Sequence, residues 1–352
     1  MKKISFLLAL LLTVSLAACA PQSGTEPGEG EADEYTELIL DGNFAGGFNL
    51  YGPDSRYHAA NYWEQVFFES EGNPFWKLDT WGCFVNYCLD RELTFTEDGK
   101  TYTYPARPVS VTENGGAYEF ANPSYGVKAD PRTGYLSLKL DSSAEYGVTP
   151  SYTDAPRASS PRKGNEAWPH LLIEENIADP VSLDRLKEVV FTLDFRIPSV
   201  RLKMQESDFN PDAHTAIAVW YVSIACANPF SAFYNQYIWF GVPVYDYRTK
   251  QIPESANIDG IKEDSTGMLI YCTPSRDYLP DGIEYGKRYK IEKDFYPAMK
   301  SAFERAQTMN LFTDCTLSDM RFINTNFGWE LLADFEAVLE IYDISIRYKE
   351  AV

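Results

Sequence analysis

Histidine is nearly absent from this chain, basic clusters are missing altogether, and no apolar run is long enough to cross a bilayer. The three histidines, His58, His170 and His214, lie far apart in sequence, which leaves little material for a histidine-based metal site or a nucleophile-base pair. Lysine and arginine total 31 against 51 aspartates and glutamates, a net charge of −20. A surface so acidic, with no basic stripe to offset it, repels phosphate backbones and argues against nucleic acid as a partner. A neutral ligand suits it better. The longest apolar run, Ile4 to Leu16, falls short of the roughly 20 residues a transmembrane helix needs. Neither an internal repeat nor an alternation of strand and helix signals is visible, which argues against solenoids and parallel α/β folds.

Cysteine is scarce too. Beyond Cys19 there are Cys83, Cys88, Cys226, Cys272 and Cys315, an odd number, so at least one lacks an intrachain partner. Cys83 and Cys88 could close a local disulfide, or all five could be small buried hydrophobes.

What the chain has in excess is rings. Its 24 Tyr, 21 Phe and 7 Trp come with 21 Pro and 22 Gly in 352 residues, a mixture that favours strands and turns over a helical bundle. LTFTEDGKTYTY carries Asp98-Gly99 between two alternating arms and predicts a hairpin. GYLSLKLD, KEVVFTLDFRIP and HTAIAVWYVSIA alternate, with Leu136, Leu138 and Leu140, then Leu193, Phe195 and Ile197, aligned on single faces. The residues from Ser142 to Trp168 read as a long surface loop. One helix is expected in KDFYPAMKSAFERAQTMN, with Asp294 as cap, Pro297 in the first turn and a stripe of Phe295, Met299, Ala302, Phe303 and Ala306. In FEAVLEIYDISIRY the apolar parity switches between Ile341 and Ile344, so a bulge near Tyr342-Asp343 is expected. Many strands and one late helix predict an all-β, antiparallel two-sheet sandwich.

The leader MKKISFLLALLLTVSLAAC places two lysines before the apolar run and small residues after it, the layout of an export signal. Leu16-Ala17-Ala18-Cys19 resembles the bacterial lipobox, which implies cleavage before Cys19, lipid on its thiol, and a membrane-anchored lipoprotein at the bacterial cell surface. A plain secretory signal with an incidental cysteine is the alternative. The following APQSGTEPGEGEADE cannot bury a core and reads as a tether.

In YNQYIWFGVPVYDYR, the residues Ile238, Phe240, Val242 and Val244 fall on one face and Tyr237, Trp239 and Tyr245 on the other. This IWFG strand, a long loop, a helix, the strand TLSDMRFINTNFG, the motif Gly328-Trp329-Glu330 and a final alternating strand together resemble the C-terminal half of the family 12 endoglucanases. That family implies a concanavalin-like jelly roll holding a β-glucan between two glutamates. The organisation expected is a signal peptide over 1–18, lipidated Cys19 and tether over 19–36, a β-rich extension of the sandwich over 37–150 and the jelly-roll core over 151–352.

Carried over, Glu330 matches the acid/base. The nucleophile's place, four residues before the Trp of IWFG, is held by Asn235, and an amide cannot form the covalent intermediate of a retaining mechanism. Glu174, Glu175 and Asp246 could supply a second acid. With the lipobox and this departure from the family pattern, the expectation is a surface-anchored binder of a neutral, β-linked polysaccharide, with the catalytic pair lost. Its expected groove residues are Tyr237, Trp239, Tyr245, Asn235, Asp246, Trp329 and Glu174, with Gly241 leaving room for a pyranose. Trp168 is expected to cap a groove edge or act as a plug, and Trp220 to fill core space. An active glycoside hydrolase using Glu330, and a structural or interaction protein of the envelope whose rings are all core, are the alternatives. No cofactor is expected; Ca2+ near Asp41 or Asp343 is the one ion that the resemblance to jelly-roll modules implies, although no dense oxygen-ligand motif is present.

Overall fold

In the computed structural model the described residues are 34–50, 64–66, 74–79, 93–97, 100–104, 110–121, 123–144, 168–260 and 266–351. The leader with Cys19, the Cys83 and Cys88 pair, and the tip of the predicted hairpin at Asp98-Gly99 lie outside them. Strands form where polar and apolar residues alternate. In chain order they are β1 (Thr36–Glu37), β2 (Phe48–Leu50), β3 (Glu64–Val66), β4 (Trp76–Asp79), β5 (Leu93–Glu97), β6 (Lys100–Tyr104), β7 (Ser110–Asn114), β8 (Ala117–Ala121), β9 (Tyr125–Asp130) and β10 (Tyr135–Asp141). They continue with β11 (His170–Asn176), β12 (Leu186–Leu202), β13 (Ala216–Cys226), β14 (Tyr237–Asp246), β15 (Ser255–Ile258), β16 (Leu269–Cys272), β17 (Arg288–Asp294), β18 (Met320–Leu331) and β19 (Phe335–Glu350). The helix α1 (Tyr296–Thr308) separates β17 from β18.

Two large sheets result, packed as a sandwich. One runs β17-β12-β19-β10-β9-β8-β7, with β1 added to β19; the other runs β15-β16-β14-β13-β18-β11-β4-β2-β3. The pairing is not purely antiparallel as expected: β14 with β16, and β2 with β4, are parallel. β5 and β6 form a separate hairpin, with Glu97 opposite Lys100.

Between the sheets the central strands bury one face. Leu136, Leu138 and Leu140 of β10, Leu193, Phe195 and Ile197 of β12, and Trp220 and Val222 of β13 are all buried. Phe191 is the centre of a ring cluster that ties the layers together, 4.7 Å from Trp220, 5.1 Å from Phe295 and 6.4 Å from Phe240. Trp220 also donates its Nε1–H to the Thr325 hydroxyl at 2.8 Å, so the one polar atom of its ring is satisfied inside the core.

Along β19 the register against β12 slips between Asp343 and Ile341, leaving Tyr342 as the extra residue. That bulge lets Ala337, Leu339 and Ile341 and then Ile344 and Ile346 all reach the core. The helix begins one residue later than a cap at Asp294 implies. Phe295 holds the cap position, while the Asp294 carboxylate accepts the N–H of Tyr296 at 2.9 Å and of Val189 at 3.0 Å, joining the helix start to β12. Met299, Ala302, Phe303 and Ala306 bury the predicted stripe as α1 packs on β12 and β14.

One acid is on the wrong side of a sheet. Glu175 lies between Trp76 and Thr325 in the strand register, fully buried on the core face. Its Oε1 accepts the Leu40 N–H at 2.7 Å, and Oε2 has no hydrogen-bond partner among the described residues. Burial pushes its carboxyl up to about 7 from 4.5. A raised carboxyl pKa means the native state holds a proton that the unfolded chain gives up. The stabilising effect of that proton is complete below the unfolded value and is lost as pH rises toward and through 7, by roughly 3 kcal/mol. Urea unfolding at pH 5 and pH 8 should show Glu175→Gln gaining stability relative to the parent at the higher pH; an identical pH dependence in both proteins would contradict this.

Candidate functional site

The nine-stranded sheet has a second face, turned away from the other sheet, and its rows follow from the register. One row runs Asn176, Asn324, Ser223, Trp239 and Ile270 across β11, β18, β13, β14 and β16. The next runs Lys77, Glu174, Asn326, Tyr221, Gly241 and Cys272, and further along the strands come His170, Glu330, Ile217 and Asp246. Rings, amides and carboxyl groups are therefore interleaved on one surface.

Tyr237 and Trp239 are both half-buried on this face, ring centroids 5.0 Å apart and planes nearly perpendicular at 88°. Tyr221 meets Trp239 edge-on at 5.8 Å. Burial holds the Tyr237 phenol above its ordinary value, against hydrogen bonds from Thr266 and the Trp239 indole that favour the phenolate. In the same row as Trp239, the Ser223 hydroxyl and Asn324 Oδ1 are buried with no partner among the described residues. Buried polar atoms in this state call for a partner.

Glu330 lies about 20 Å along the strands from Trp239, six residues of β13 away by register. Its Oε2 accepts the Trp168 Nε1–H at 2.9 Å and stands 3.2 Å from His170 Nε2. The other ring nitrogen of His170 is 2.8 Å from the Trp168 carbonyl, which can only accept, so Nδ1 carries a hydrogen. Trp168 stacks on His170 at 5.7 Å. Between the two ends stands Tyr221, whose phenol is pushed well up by burial, then by Cys272 and Glu330.

A second acidic group sits at the β4 side. Glu174 is ion-paired with Lys77 at 2.7 Å, and Asp79 is pushed well above the carboxylate range by burial and by Glu174. Asp79 and Glu174 share a side-chain hydrogen bond, while the Lys77 ammonium draws the Asp79 carboxyl the other way.

The remaining expected residues are placed elsewhere. Trp329 is fully buried on the core face. Tyr245 joins it there, edge-on at 5.8 Å, because the β13–β14 register slips between Ala218 and Val219 and reverses the parity of β14 beyond Pro243. Its hydroxyl meets that of Tyr285 at 2.7 Å. Asp246 does share the outer face, but its carboxylate is committed to Arg248 at 2.7 Å and to Thr215 at 2.7 Å. Asn235 is exposed in the turn before β14, at φ 63°, with its N–H donated to the Cys226 carbonyl. Gly241 leaves no room for a sugar ring. A Cβ there would meet Cys272 Sγ and Tyr221 Cε1 at 2.8 Å, so the glycine admits these two neighbours. Asp41 spends its carboxylate on the N–H groups of Ala45 and Gly46 at 2.8 and 2.9 Å, and Asp343 is exposed opposite Asp194. Among the described residues no group of three His, Cys, Asp or Glu could hold a metal ion.

His170, Tyr221, Lys77 and Asp79 join the face without having been anticipated. No local pattern marks them, since their meeting depends on which strands pair and in which register.

No family model matches the chain, and no curated protein does. Among solved structures it is similar to a cellulase derived from Cel12A of Rhodothermus marinus, with 12% identity over 74% of this chain and 99% of that one, at a TM-score of 0.35. It is also similar to a family 12 xyloglucanase from Bacillus licheniformis in complex with ligand, with 7% identity over 74% and 100%, at 0.37. A third is the xyloglucanase domain of NopAA from Sinorhizobium fredii in complex with cellobiose, with 10% identity over 69% and 96%, at 0.34. Likeness of this size leaves the chemistry to be read from the chain's own residues.

Gly328 holds the site in register. At φ 156°, a Cβ there would lie 2.1 Å from the Leu171 carbonyl oxygen on β11. Gly328→Ala must push β18 from β11 and shift Glu330 against His170. We expect a loss of at least about 2 kcal/mol in denaturant unfolding; an unchanged midpoint would show that the close approach is not required.

Proposed function

We propose that this protein binds a neutral, β-linked polysaccharide along the outer face of its nine-stranded sheet. The observation that carries the reading is the half-open Tyr237 and Trp239 pair, set among amides and carboxyl groups. Rings of this kind lie flat on the apolar faces of sugars while neighbouring polar groups bond the hydroxyls. Ser223 and Asn324, beside Trp239, have buried polar atoms that saccharide hydroxyls reaching this row would partner. The about 20 Å between Trp239 and Glu330 along the strands favours a chain of several sugars over a single one. We further propose, from the leader sequence, that lipid on Cys19 anchors the protein at the bacterial surface, so that the sheet meets polymers outside the cell.

Hydrolysis is the second reading, favoured by the placing of the Glu330 carboxyl 3.2 Å from His170 Nε2 on the same face, since a positioned carboxyl beside an imidazole is the geometry that acid–base chemistry uses. Against it, Asn235 offers no nucleophile and lies in a turn outside the face.

Both readings can be separated on the chain from Tyr35 onward. Titration with a panel of β-glucans should quench tryptophan fluorescence, and Trp239→Ala should weaken binding at least tenfold. No release of reducing ends is expected. Turnover that disappears in Glu330→Gln would replace binding with hydrolysis, and the absence of both quench and turnover would overturn the proposal.

A further inference from the structure

The hairpin that feeds the Tyr237 and Trp239 strand is gripped from the side by the segment between α1 and β18. Asp314 accepts the Ser231 hydroxyl at 2.7 Å and the Ala232 N–H at 2.9 Å. Phe233 packs on Phe312 at 5.3 Å, and the Ala227 N–H reaches the Asp319 carbonyl at 2.7 Å. At the middle of this contact two buried thiols face each other, Cys226 at the end of β13 and Cys315 beside Asp314, with their sulfurs 3.1 Å apart. The sulfurs of a disulfide are about 2.05 Å apart. Side-chain closure of about 1 Å therefore separates these thiols from a bond, in a segment already held by three hydrogen bonds and a ring contact.

We propose that Cys226 and Cys315 form a disulfide when the chain folds in the presence of a disulfide oxidant, and that this bond staples the hairpin to the α1–β18 segment. One thiolate attacks the oxidant's disulfide, forming a mixed disulfide and releasing one oxidant thiol. The second cysteine then attacks its partner's sulfur, closing the intrachain bond and releasing the other oxidant thiol. Two protons and two electrons pass from the protein to the oxidant, which ends as two thiols. The bond closes a loop of 89 residues in sequence, long enough to restrict the unfolded chain strongly. Burial pushes the Cys315 thiol up to about 12, so its thiolate is scarce once the fold has closed. The bond forms during folding and is then shielded. Cys272 is buried elsewhere, beneath Tyr221 in the β16 row, and has no such partner among the described residues.

The test is to refold the denatured, reduced chain in a glutathione redox buffer, block remaining thiols with an alkylating agent under denaturing conditions, and map tryptic peptides by mass. The expected result is a cross-linked pair carrying Cys226 and Cys315, two hydrogens lighter than the separate peptides and released by reductant, with Cys272 alkylated. The oxidised protein should melt several degrees above the reduced one, a difference that disappears in the Cys226→Ser, Cys315→Ser double variant. Recovery of both cysteines alkylated, capped by glutathione, or bonded to other cysteines would overturn the proposal. None of these readouts depends on whether the protein binds a glycan.

Discussion

A sheet that seals one face against a second sheet leaves only its other face for a ligand, and the strand alternation decides which rings are on offer. In β13, β14 and β18 the aliphatic and aromatic residues of one parity fill the core around Phe191, Trp220 and Phe240. The opposite parity is then committed to the outer surface, whatever its chemistry. Tyr237 and Trp239 are presented because Ile238 and Phe240 are consumed. A site built this way rests on rigid strands and needs no separate scaffold.

Bulges and one glycine edit that pattern. The slip in β14 after Pro243 turns Tyr245 inward, and the extra Tyr342 in β19 keeps its apolar residues on one side. Gly328 allows β18 to approach β11 so closely that Glu330, His170 and Trp168 become hydrogen-bonded neighbours. The same local economy appears at Gly241, where the missing side chain makes room for Tyr221 and Cys272.

The sandwich, the late helix and the bulge in β19 were legible because each rests on short-range periodicity. So were the opposed faces of β14 up to Pro243, and the core role of Trp220. Tyr245 was misplaced because a single unpaired residue reverses every later side chain, and nothing in VPVYDY announces the slip. Trp329 was misplaced for a related reason. It shares a face with the core-directed Phe327, while Glu330 takes the outer one, so a motif read as a unit is split by the pleat. His170 and Asp79 were invisible because the carboxyl groups they meet, Glu330 and Glu174, are more than 90 residues away in sequence. The approach of Cys226 to Cys315 is likewise a product of topology, as the helix separates them along the chain.

The chain carries its own internal controls for saccharide binding. Trp76, Trp220 and Trp329 are fully buried, whereas Trp239 is half-open on the outer face. Indole nitrogen-15 labelling followed through a titration with a soluble β-glucan oligosaccharide reads all of them at once. Saccharide stacking on the outer face predicts a saturable shift of the Trp239 indole signal, identified by its loss in Trp239→Phe, while the three core indoles stay in place. Binding that leaves the Trp239 signal unmoved would contradict it.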